Sequence, residues 1–363
     1  MIDARITRRR LIQLGALGGA ALWLSPLLGA CGTPDDTRVV FLNWQDYVDP
    51  TILTDFTDET GLQVLYETYA SNDELADRLA LADVVRRKGR KAESFDLIVP
   101  SEYLVERLRK NELLQLLDRE IVTSLDNLAD AFRSSQFDPG NRYTVPWATG
   151  TTGIGFDTTV FDEPPDWDVF HDAAHKGKMI MLDEQRDSMG AALFALGKDP
   201  NTRDPAEIDA AADWLVEARE VIRGFDSATY LDLLAGGELV CAHGYSSDVQ
   251  LARERNPDLD FTIPAAGGFR WIDSLCIPAT APNPEGANRF IEFYLTPEIS
   301  ALNAVAVKVD TGNQAAMQFI PAEILDNPAI YPPQDVLERL RFIENVGDAQ
   351  KLYESAWERV KQA

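Results

Sequence analysis

Short apolar segments alternate with amphipathic ones along much of this 363-residue chain. The cycle begins with RVVFLNW at 38–44, which has the length of a buried strand, and a helical pattern follows it. Asp49 is a typical N-cap for that helix, Pro50 suits its first position, and Gly61 is a typical stop. Strand and helix patterns then repeat to about residue 114. The alternation predicts an α/β fold in which helices cover both faces of a parallel sheet.

One segment, YTVPWATGTTGIGFD at 143–157, breaks this alternation. It is apolar and rich in threonine and glycine and has no helical period, which is typical of a chain crossing between two lobes. A second series of strands and helices follows, and helical patterns resume at 284–306 and from about 334 to the end. Ligands of such folds bind beyond the carboxyl ends of the strands. NWQDY at 43–47 and PSEY at 100–103 occupy such ends here.

The first thirty residues follow a different pattern: four arginines, then an apolar stretch diluted by glycine and alanine, then small residues. This is typical of an export signal over 1–30, followed by a polar linker at 31–37. The segment 7–12 resembles the twin-arginine export motif, and 28–31 resembles a lipobox, in which Cys31 would be the first mature residue and carry a lipid. The alternatives are an ordinary cleaved signal and a permanent membrane span over 11–28.

Composition excludes several classes of protein. The chain is 45% hydrophobic, which excludes a disordered chain. Its formal charge is −25, and without residues 1–30 it has 30 basic and 58 acidic residues, a balance of −28. This acidity argues against a nucleic-acid partner, because phosphate binding needs clustered basic residues. Attraction of a cationic ligand and salt adaptation of the surface both remain compatible with it.

Sequence patterns give little support to catalysis. The chain has no phosphate-binding loop, no HExxH and no GxSxG motif. His171 and His175 have the spacing of one helix face, but no third metal ligand lies nearby in the sequence, so we interpret them as solvated histidines and expect no metal or other cofactor. Cys241 and Cys276 each lie in an apolar run, and a disulfide or two buried thiols are equally compatible with that.

Aromatic residues paired with carboxylates point to another kind of site. Trp271 and Asp273 are two residues apart on a predicted strand, so their side chains leave the same face. Tyr245 and Asp248 are three apart at the start of a predicted helix. Aromatic faces attract cations, and a carboxylate adds a charge-assisted hydrogen bond. An alkyl diamine needs both at each end, with apolar ring faces along its methylene groups.

Several segments resemble the bacterial spermidine/putrescine-binding proteins, the extracytoplasmic receptors of polyamine ABC importers. These segments are FLNWQDYVDPTILTDFTDETG, FDLIVPSEYLVERLRK, YTVPWATGTTGIGF and GGFRWIDSLCIPATAPNPEGANRFIEFYL. The resemblance implies a two-lobed periplasmic-binding-protein fold of type II, each lobe a mixed sheet flanked by helices, with the ligand cleft at the hinge. The implied lobes are 38–146 plus 274–315 and 147–273 plus 316–363.

Carried over by position, the resemblance implies ligand-binding roles for residues from both lobes. Asp273 would grip one ammonium group, Tyr245 would cover the methylene chain and Asp248 would bind the second ammonium, although His243 could instead occupy the position of Tyr245. An alternative role for Asp187 is the N-cap of the next helix. The full implied site is Trp44, Gln45, Asp46, Tyr47, Ser101, Tyr103, Glu184, Asp187, Tyr245, Asp248, Trp271 and Asp273.

Two positions depart from the family pattern. A tyrosine that the family often has before the second hinge is replaced by Val309 or Asp310, and the late cleft glutamine falls near Ile343 or Glu344. These departures leave the identity of the amine open.

The resemblance implies a monomeric receptor without enzymatic activity, anchored by lipid in the periplasm or at the outer face of the cytoplasmic membrane. Its ligand would be putrescine or spermidine, with putrescine slightly preferred, and its partners an ABC permease and the cytoplasmic ATPase. The alternatives are a receptor of the same fold for another cationic or amino-bearing solute, a secreted enzyme on this scaffold, and a sensor or assembly protein without a small ligand.

Overall fold

The computed structural model describes residues 37–87 and 94–363. The predicted export signal and Cys31 lie outside these residues. The strands are β1 (Arg38–Trp44), β2 (Gln63–Tyr69), β3 (Leu97–Ile98), β4 (Thr144–Asp157), β5 (Met179–Ile180), β6 (Cys241–Tyr245), β7 (Leu259–Thr262), β8 (Gly268–Cys276) and β9 (Leu340–Arg341).

The α-helices are α1 (Pro50–Thr60), α2 (Asn72–Arg87), α3 (Glu102–Lys110), α4 (Gln185–Ala195), α5 (Pro205–Arg219), α6 (Tyr230–Ala235), α7 (Ser246–Arg253), α8 (Pro284–Tyr294), α9 (Pro297–Val307), α10 (Ala322–Leu325), α11 (Gln334–Leu337) and α12 (Gln350–Gln362). Within residues 37–87 and 94–363, none of these helices combines the length and the hydropathy of a membrane span.

Local signals set the first elements. Strand β1 has the predicted bounds, and α1 begins after Asp49, whose carboxylate accepts a hydrogen bond from the backbone N–H of Thr51. Pro50 is the first helical residue. Gly61 ends the helix with a φ of 74°, in the left-handed region that glycine adopts without steric cost.

The strands form one mixed sheet in the order β2-β1-β3-β8-β4-β6-β5, with β7 paired to β4 and β9 to β8. Strands β1, β2 and β3 run parallel, as the alternation of strands and helices predicts. The long strands β4 and β8 are antiparallel and pair from Thr144–Cys276 to Thr152–Phe269. They connect the half of the molecule around β1 with the half around β6, so the predicted crossing segment is an interior strand of the sheet, between β8 and β6.

Four hydrophobic cores flank this sheet, two in each half. Near β1, one core is centred on Phe41, Trp147 and Phe290, and a second on Leu42 and Leu104. In the other half, a core built on α4 and α5 contains residues of α12, and a smaller core lies under α6 and α7. Two separate sets of cores joined by β4 and β8 give the two-lobed α/β architecture that the sequence predicts.

Tertiary pairing overrides the local pattern near the C-terminus. The helical pattern from about 334 is interrupted after the short helix α11, because Leu340 pairs with Gly268 at the start of β8. Helix α12 begins only at Gln350. The prediction that His171 and His175 share one α-helix face is wrong, and both side chains are partly exposed. The two residues belong to two short 3-10 helices, and the His171 ring stacks on Trp214 with centroids 4.3 Å apart.

The two cysteines of the described residues are free and buried. Cys241 lies opposite Phe156 at one end of β4, and Cys276 lies opposite Thr144 at the other end. Twelve residues of extended strand span about 40 Å. A disulfide needs Cα atoms within about 7 Å, so the two thiols stay unpaired.

Candidate functional site

Asp273 lies at the centre of the polar side chains that meet at the strand ends. It is 6% exposed and sits on β8, two residues beyond Trp271. One carboxylate oxygen accepts the hydroxyl of Ser101 at 2.6 Å, and the other accepts the hydroxyl of Tyr47 at 3.0 Å. Ser101 follows β3 and Tyr47 follows β1, so three strands contribute to this contact.

Trp271 lies between two tyrosines. Its ring centroid is 6.4 Å from that of Tyr47 and 6.3 Å from that of Tyr245, to which its plane is perpendicular. The opposite strand makes room with Gly150, where an added Cβ would lie 2.4 Å from the indole ring. The three rings therefore form an apolar wall beside Asp273, of the kind that packs along methylene groups and attracts cations.

Two further acids come from the half of the molecule around β6. Asp187 lies within the first turn of α4 and accepts a hydrogen bond from the Thr152 hydroxyl at 3.0 Å. The proposed N-cap role of Asp187 is wrong, because Glu184 precedes the helix in that position. Tyr103 belongs to α3 in the other half and packs against the core of α4 and α5 as well as its own. The acids of α4 and the residues around Asp273 thus face one another.

Asp248 stands in the first turn of α7 and Tyr245 immediately precedes that helix. The hydroxyl of Tyr230 donates to the Asp248 carboxylate at 2.6 Å and accepts the backbone N–H of Tyr245 at 3.2 Å. Tyr230 therefore fixes both residues. Tyr245 contacts Trp271, whereas His243 is buried against Trp167, so Tyr245 and not His243 belongs to the aromatic wall.

The remaining predicted residues follow β1. Gln45 and Asp46 are exposed, and Asp46 adopts a left-handed backbone with a φ of 55°. The indole N–H of Trp44 donates to the carbonyl of Val99 at 2.9 Å, and its ring packs 4.6 Å from that of Tyr69. Trp44 therefore packs beneath the site against Tyr69, and its indole N–H is used in the hydrogen bond to Val99.

Burial raises the pKa of every one of the enclosed carboxylic acids, because the charged form loses water. The pKa of Asp273 rises to about 7, opposed by its bonds from Ser101 and Tyr47. The pKa of Asp187 rises to about 6 and that of Glu184 to about 8, the latter also through repulsion by Asp187. Burial also raises the pKa of Asp248. Burial thus disfavours the charged form of each acid, and a positive charge in the site would offset this effect.

Glu102, a buried residue that sequence reasoning missed, joins this group. One carboxylate oxygen accepts the backbone N–H of Ile272 at 3.0 Å, and the other is buried without a hydrogen-bond partner. Burial raises its pKa to about 8. Its position between Ser101 and Tyr103 was the available signal, but a glutamate at the first helical position is typical of a surface helix terminus. Sequence reasoning also missed the supporting residues Asn72, Thr152 and Tyr230.

The positions that depart from the family pattern have other partners. Asp310 lies 3.6 Å from Arg270 and exchanges two backbone hydrogen bonds with Thr149. Ile343 is buried in the core of α4 and α5. The backbone carbonyl of Glu344 accepts a hydrogen bond from Arg186 at 3.0 Å.

Comparison with known proteins gives a consistent result. Residues 51–330 match the family of bacterial extracellular solute-binding proteins. The spermidine/putrescine-binding periplasmic protein of Salmonella typhimurium is 32% identical over 355 residues, covering 97% of this chain and 98% of that protein. The putrescine-binding periplasmic protein of Escherichia coli is 31% identical over 370 residues, covering 96% of each chain.

The fold is also similar to solved structures. A spermidine/putrescine ABC transporter protein from Listeria monocytogenes superposes with a TM-score of 0.83 at 30% identity, covering 90% of this chain and 99% of that one. These matches confirm the predicted resemblance and the two-lobed type II fold.

Proposed function

Because the chain belongs to the family of bacterial extracellular solute-binding proteins, we propose that it is the polyamine receptor of an ABC importer. One observation carries the proposal. Asp187, Glu184, Asp248 and Asp273 lie around the aromatic wall, the first and last of them buried and the other two half-buried, and within the described residues none of them forms an ion pair with a basic side chain. The Arg186 guanidinium is bonded to Asn201 and to the Glu344 carbonyl, and its nearby charge offsets only part of the rise in the pKa of Asp187. Buried carboxylates need a compensating charge, and a ligand with several ammonium groups supplies it.

The ligand lies along Trp271 in this proposal. One ammonium group binds Asp273, with Asp187 and Glu184 nearby, and the other end approaches Asp248. The rings of Tyr47, Tyr245 and Trp271 cover the methylene chain between them. Acids at both ends of the wall suit a diamine such as putrescine. Spermidine is the second choice, because Glu184 and Asp187 could compensate the charge of its third amine. Trp44, Gln45, Asp46, Ser101 and Tyr103 complete the proposed site.

Binding is coupled to closure of the two lobes, 38–146 plus 274–315 and 147–273 plus 316–363. Packing of Ile343, Tyr353 and Val360 in the core of α4 and α5 supports the assignment of the C-terminal region to the second lobe. Ala316 and Ile320 pack in the first-lobe core, and Ile324, Leu325 and Tyr331 pack against it, which favours a return crossing beyond residue 331. A ligand that contacts acids of both lobes binds the closed form more tightly, and that difference shifts the population toward closure.

We place the mature receptor in the periplasm, or at the outer face of the cytoplasmic membrane when a lipid on Cys31 anchors it. Its partners are a permease, which reads the closed form, and a cytoplasmic ATPase, and it acts as a monomer. The lipobox supports the anchor. Export of the full chain in bacteria followed by membrane fractionation tests it: Cys31→Ala should move the protein to the soluble fraction, and unchanged membrane association would exclude the lipid.

The receptor binds its ligand without converting it. The curated relatives are named as binding proteins, which supports this assignment. The second candidate is a receptor of the same fold for another cationic solute. The Val309–Asp310 segment, where the family often has a tyrosine, favours it, because Val309 is buried in the core and Asp310 engages Arg270, so neither offers a ring to the ligand.

Thermal unfolding with a panel of solutes tests the proposal and separates the candidates. The panel contains putrescine, cadaverine, spermidine, spermine, a sugar and ferric citrate. A ligand at a hundredfold excess over its Kd stabilises the native state by about 2.7 kcal/mol. A selective rise of the Tm with one polyamine is the expected result. No rise with any amine would refute the polyamine assignment, and turnover of an amine would refute the receptor assignment.

A further inference from the structure

Helix α7 connects the proposed ligand site with the region where the chain returns between the lobes. Its first turn carries Asp248, and its C-cap residue is Glu254. The carboxylate of Glu254 lies 2.9 Å from the ammonium group of Lys308. Lys308 is the C-cap residue of α9 and stands two residues before Asp310, which bonds to Thr149 on β4. The ion pair therefore lies at the opposite end of α7 from the ligand.

The two partners belong to different cores. Helix α7 buries Val249 and Ala252 under α6, whereas α9 buries Ala301 and Ala304 in the core around Phe290. The Lys308–Glu254 ion pair therefore connects the two halves of the molecule. The Lys308 side chain is 17% exposed and that of Glu254 is 58% exposed, so the pair is shielded on the lysine side and open to solvent on the glutamate side.

A second contact lies one helical turn earlier on the same face of α7. The side-chain N–H of Asn327 donates to the side-chain oxygen (Oε1) of Gln250 at 2.7 Å. Asn327 follows α10, and Ile324 and Leu325 of that helix pack against the core around Phe290. Gln250 is 6% exposed, which marks this as an interior contact between the two halves. Both contacts involve α7 or its C-cap residue. Neither involves α3 or α4, the other helices that carry predicted ligand-binding residues.

We propose that Lys308–Glu254 and Asn327–Gln250 form a latch that holds α7, and with it Tyr245 and Asp248, in the closed arrangement. The proposal rests on the proposed receptor function but involves no residue that touches the ligand. Contacts that exist only in the closed state lower its free energy alone, so they raise the apparent affinity for any ligand that requires closure. Lys308 and Glu254 are positioning residues in this account.

A double-mutant cycle tests the latch. The variants are Lys308→Met, Glu254→Gln, their combination, and the charge-swapped pair Lys308→Glu with Glu254→Lys, each titrated calorimetrically with putrescine and spermidine. Each single variant should weaken binding about two- to fivefold, as expected for a partly shielded ion pair. The combination should bind no more weakly than either single variant, and the charge swap should restore most of the affinity.

Arg255→Met is the matched control. Arg255 forms an ion pair with Asp232 at 2.5 Å, which joins the end of α7 to α6 within one core, so its removal should leave affinity unchanged. Additive losses in the cycle, or an equal loss in Arg255→Met, would overturn the latch and indicate general loosening of α7.

Solution scattering separates the latch from the ligand assignment. Lys308→Met should have a larger radius of gyration than the unaltered protein at equal ligand concentration. If the unaltered protein binds neither amine but the radius still increases in Lys308→Met, the latch stands and the polyamine assignment fails. If polyamines bind and neither the radius nor the Kd changes in the variants, the latch is wrong and the polyamine assignment stands.

Discussion

The hydroxyl of Tyr47 donates to the carboxylate of Asp273 at 3.0 Å, although 226 residues separate the two in the chain. Ser101 donates to the other oxygen of the same carboxylate at 2.6 Å. Two hydroxyl donors hold the carboxylate in one orientation before any ligand arrives, and Trp271 lies beside it on the same strand. This preorganisation is the reason to regard Asp273 as the principal cation-binding group.

Asp273→Asn should remove most of the affinity for a polyamine and leave the fold intact. The amide keeps the size of the side chain but loses the charge-assisted bond, which contributes about 1.5–3 kcal/mol, or about ten- to a hundredfold in Kd. Calorimetric titration measures the loss, and thermal unfolding without ligand checks the fold. Glu163→Gln, at an exposed position, should bind as the unaltered protein does. A Kd that hardly changes in Asp273→Asn would remove this residue from the site.

The ligand-free protein should lose stability as pH rises from about 4 to about 8. Unfolded aspartate and glutamate titrate near 3.9 and 4.3. In the folded protein the pKa rises to about 6 for Asp187, about 7 for Asp273 and about 8 for Glu184. Between these values the folded state holds more protons than the unfolded state, so the free energy of unfolding falls with increasing pH.

Unfolding in denaturant at several pH values measures this slope. Glu184→Gln should flatten it, because the neutral side chain has no proton to lose. The affinity for a polyamine should rise over the same interval, since its amines stay charged while the acids ionise. Stability that increases steadily from pH 5 to pH 8 would contradict the raised pKa values.

Gly150→Ala should affect binding more than stability. Its new Cβ would meet the Trp271 ring at 2.4 Å and push the ring out of the wall. Gly190→Ala is a matched control, because its Cβ would meet Phe269 at 2.1 Å within the core of α4 and α5. Overpacking of this kind costs about 1–3 kcal/mol. Comparison of the Kd and Tm of the two variants should show the larger loss of affinity in Gly150→Ala, and equal losses would argue against a ligand-binding role for Trp271.

Asp248→Asn should distinguish ligands with one charge from ligands with two. If Asp248 binds the second ammonium group, the variant loses affinity for putrescine about tenfold or more but binds butylamine, which has the same carbon chain and one amine, as the unaltered protein does. Competition titrations with the two amines measure both affinities. A proportional loss for both would mean that Asp248 shapes the cleft without binding an ammonium group.

The bounds of the first helix in the first lobe could be predicted from the sequence, because they depend on local capping interactions. Helix α1 begins after Asp49 and ends at Gly61, as predicted, because the capping bonds and the left-handed φ are properties of a few adjacent residues. The same-face relationship of Trp271 and Asp273 follows from the two-residue repeat of a strand. Such signals need no knowledge of the rest of the chain.

Long-range pairing accounts for what the sequence did not reveal. The role of Glu102 depends on the backbone N–H of Ile272, 170 residues away, and that of Tyr230 on the position of Asp248. The helical pattern after residue 334 is interrupted because Leu340 pairs with β8. In each case a contact between distant segments determines the structure, and the local sequence pattern does not predict that contact.

Calorimetric titration of putrescine and spermidine into the chain from residue 32 onward tests the central claim most directly. We expect saturable binding of one polyamine per chain. Protons are released as the buried acids ionise, so the binding heat changes with the ionisation enthalpy of the buffer. No saturable heat with either amine, in a protein that thermal unfolding shows to be folded, would contradict this claim.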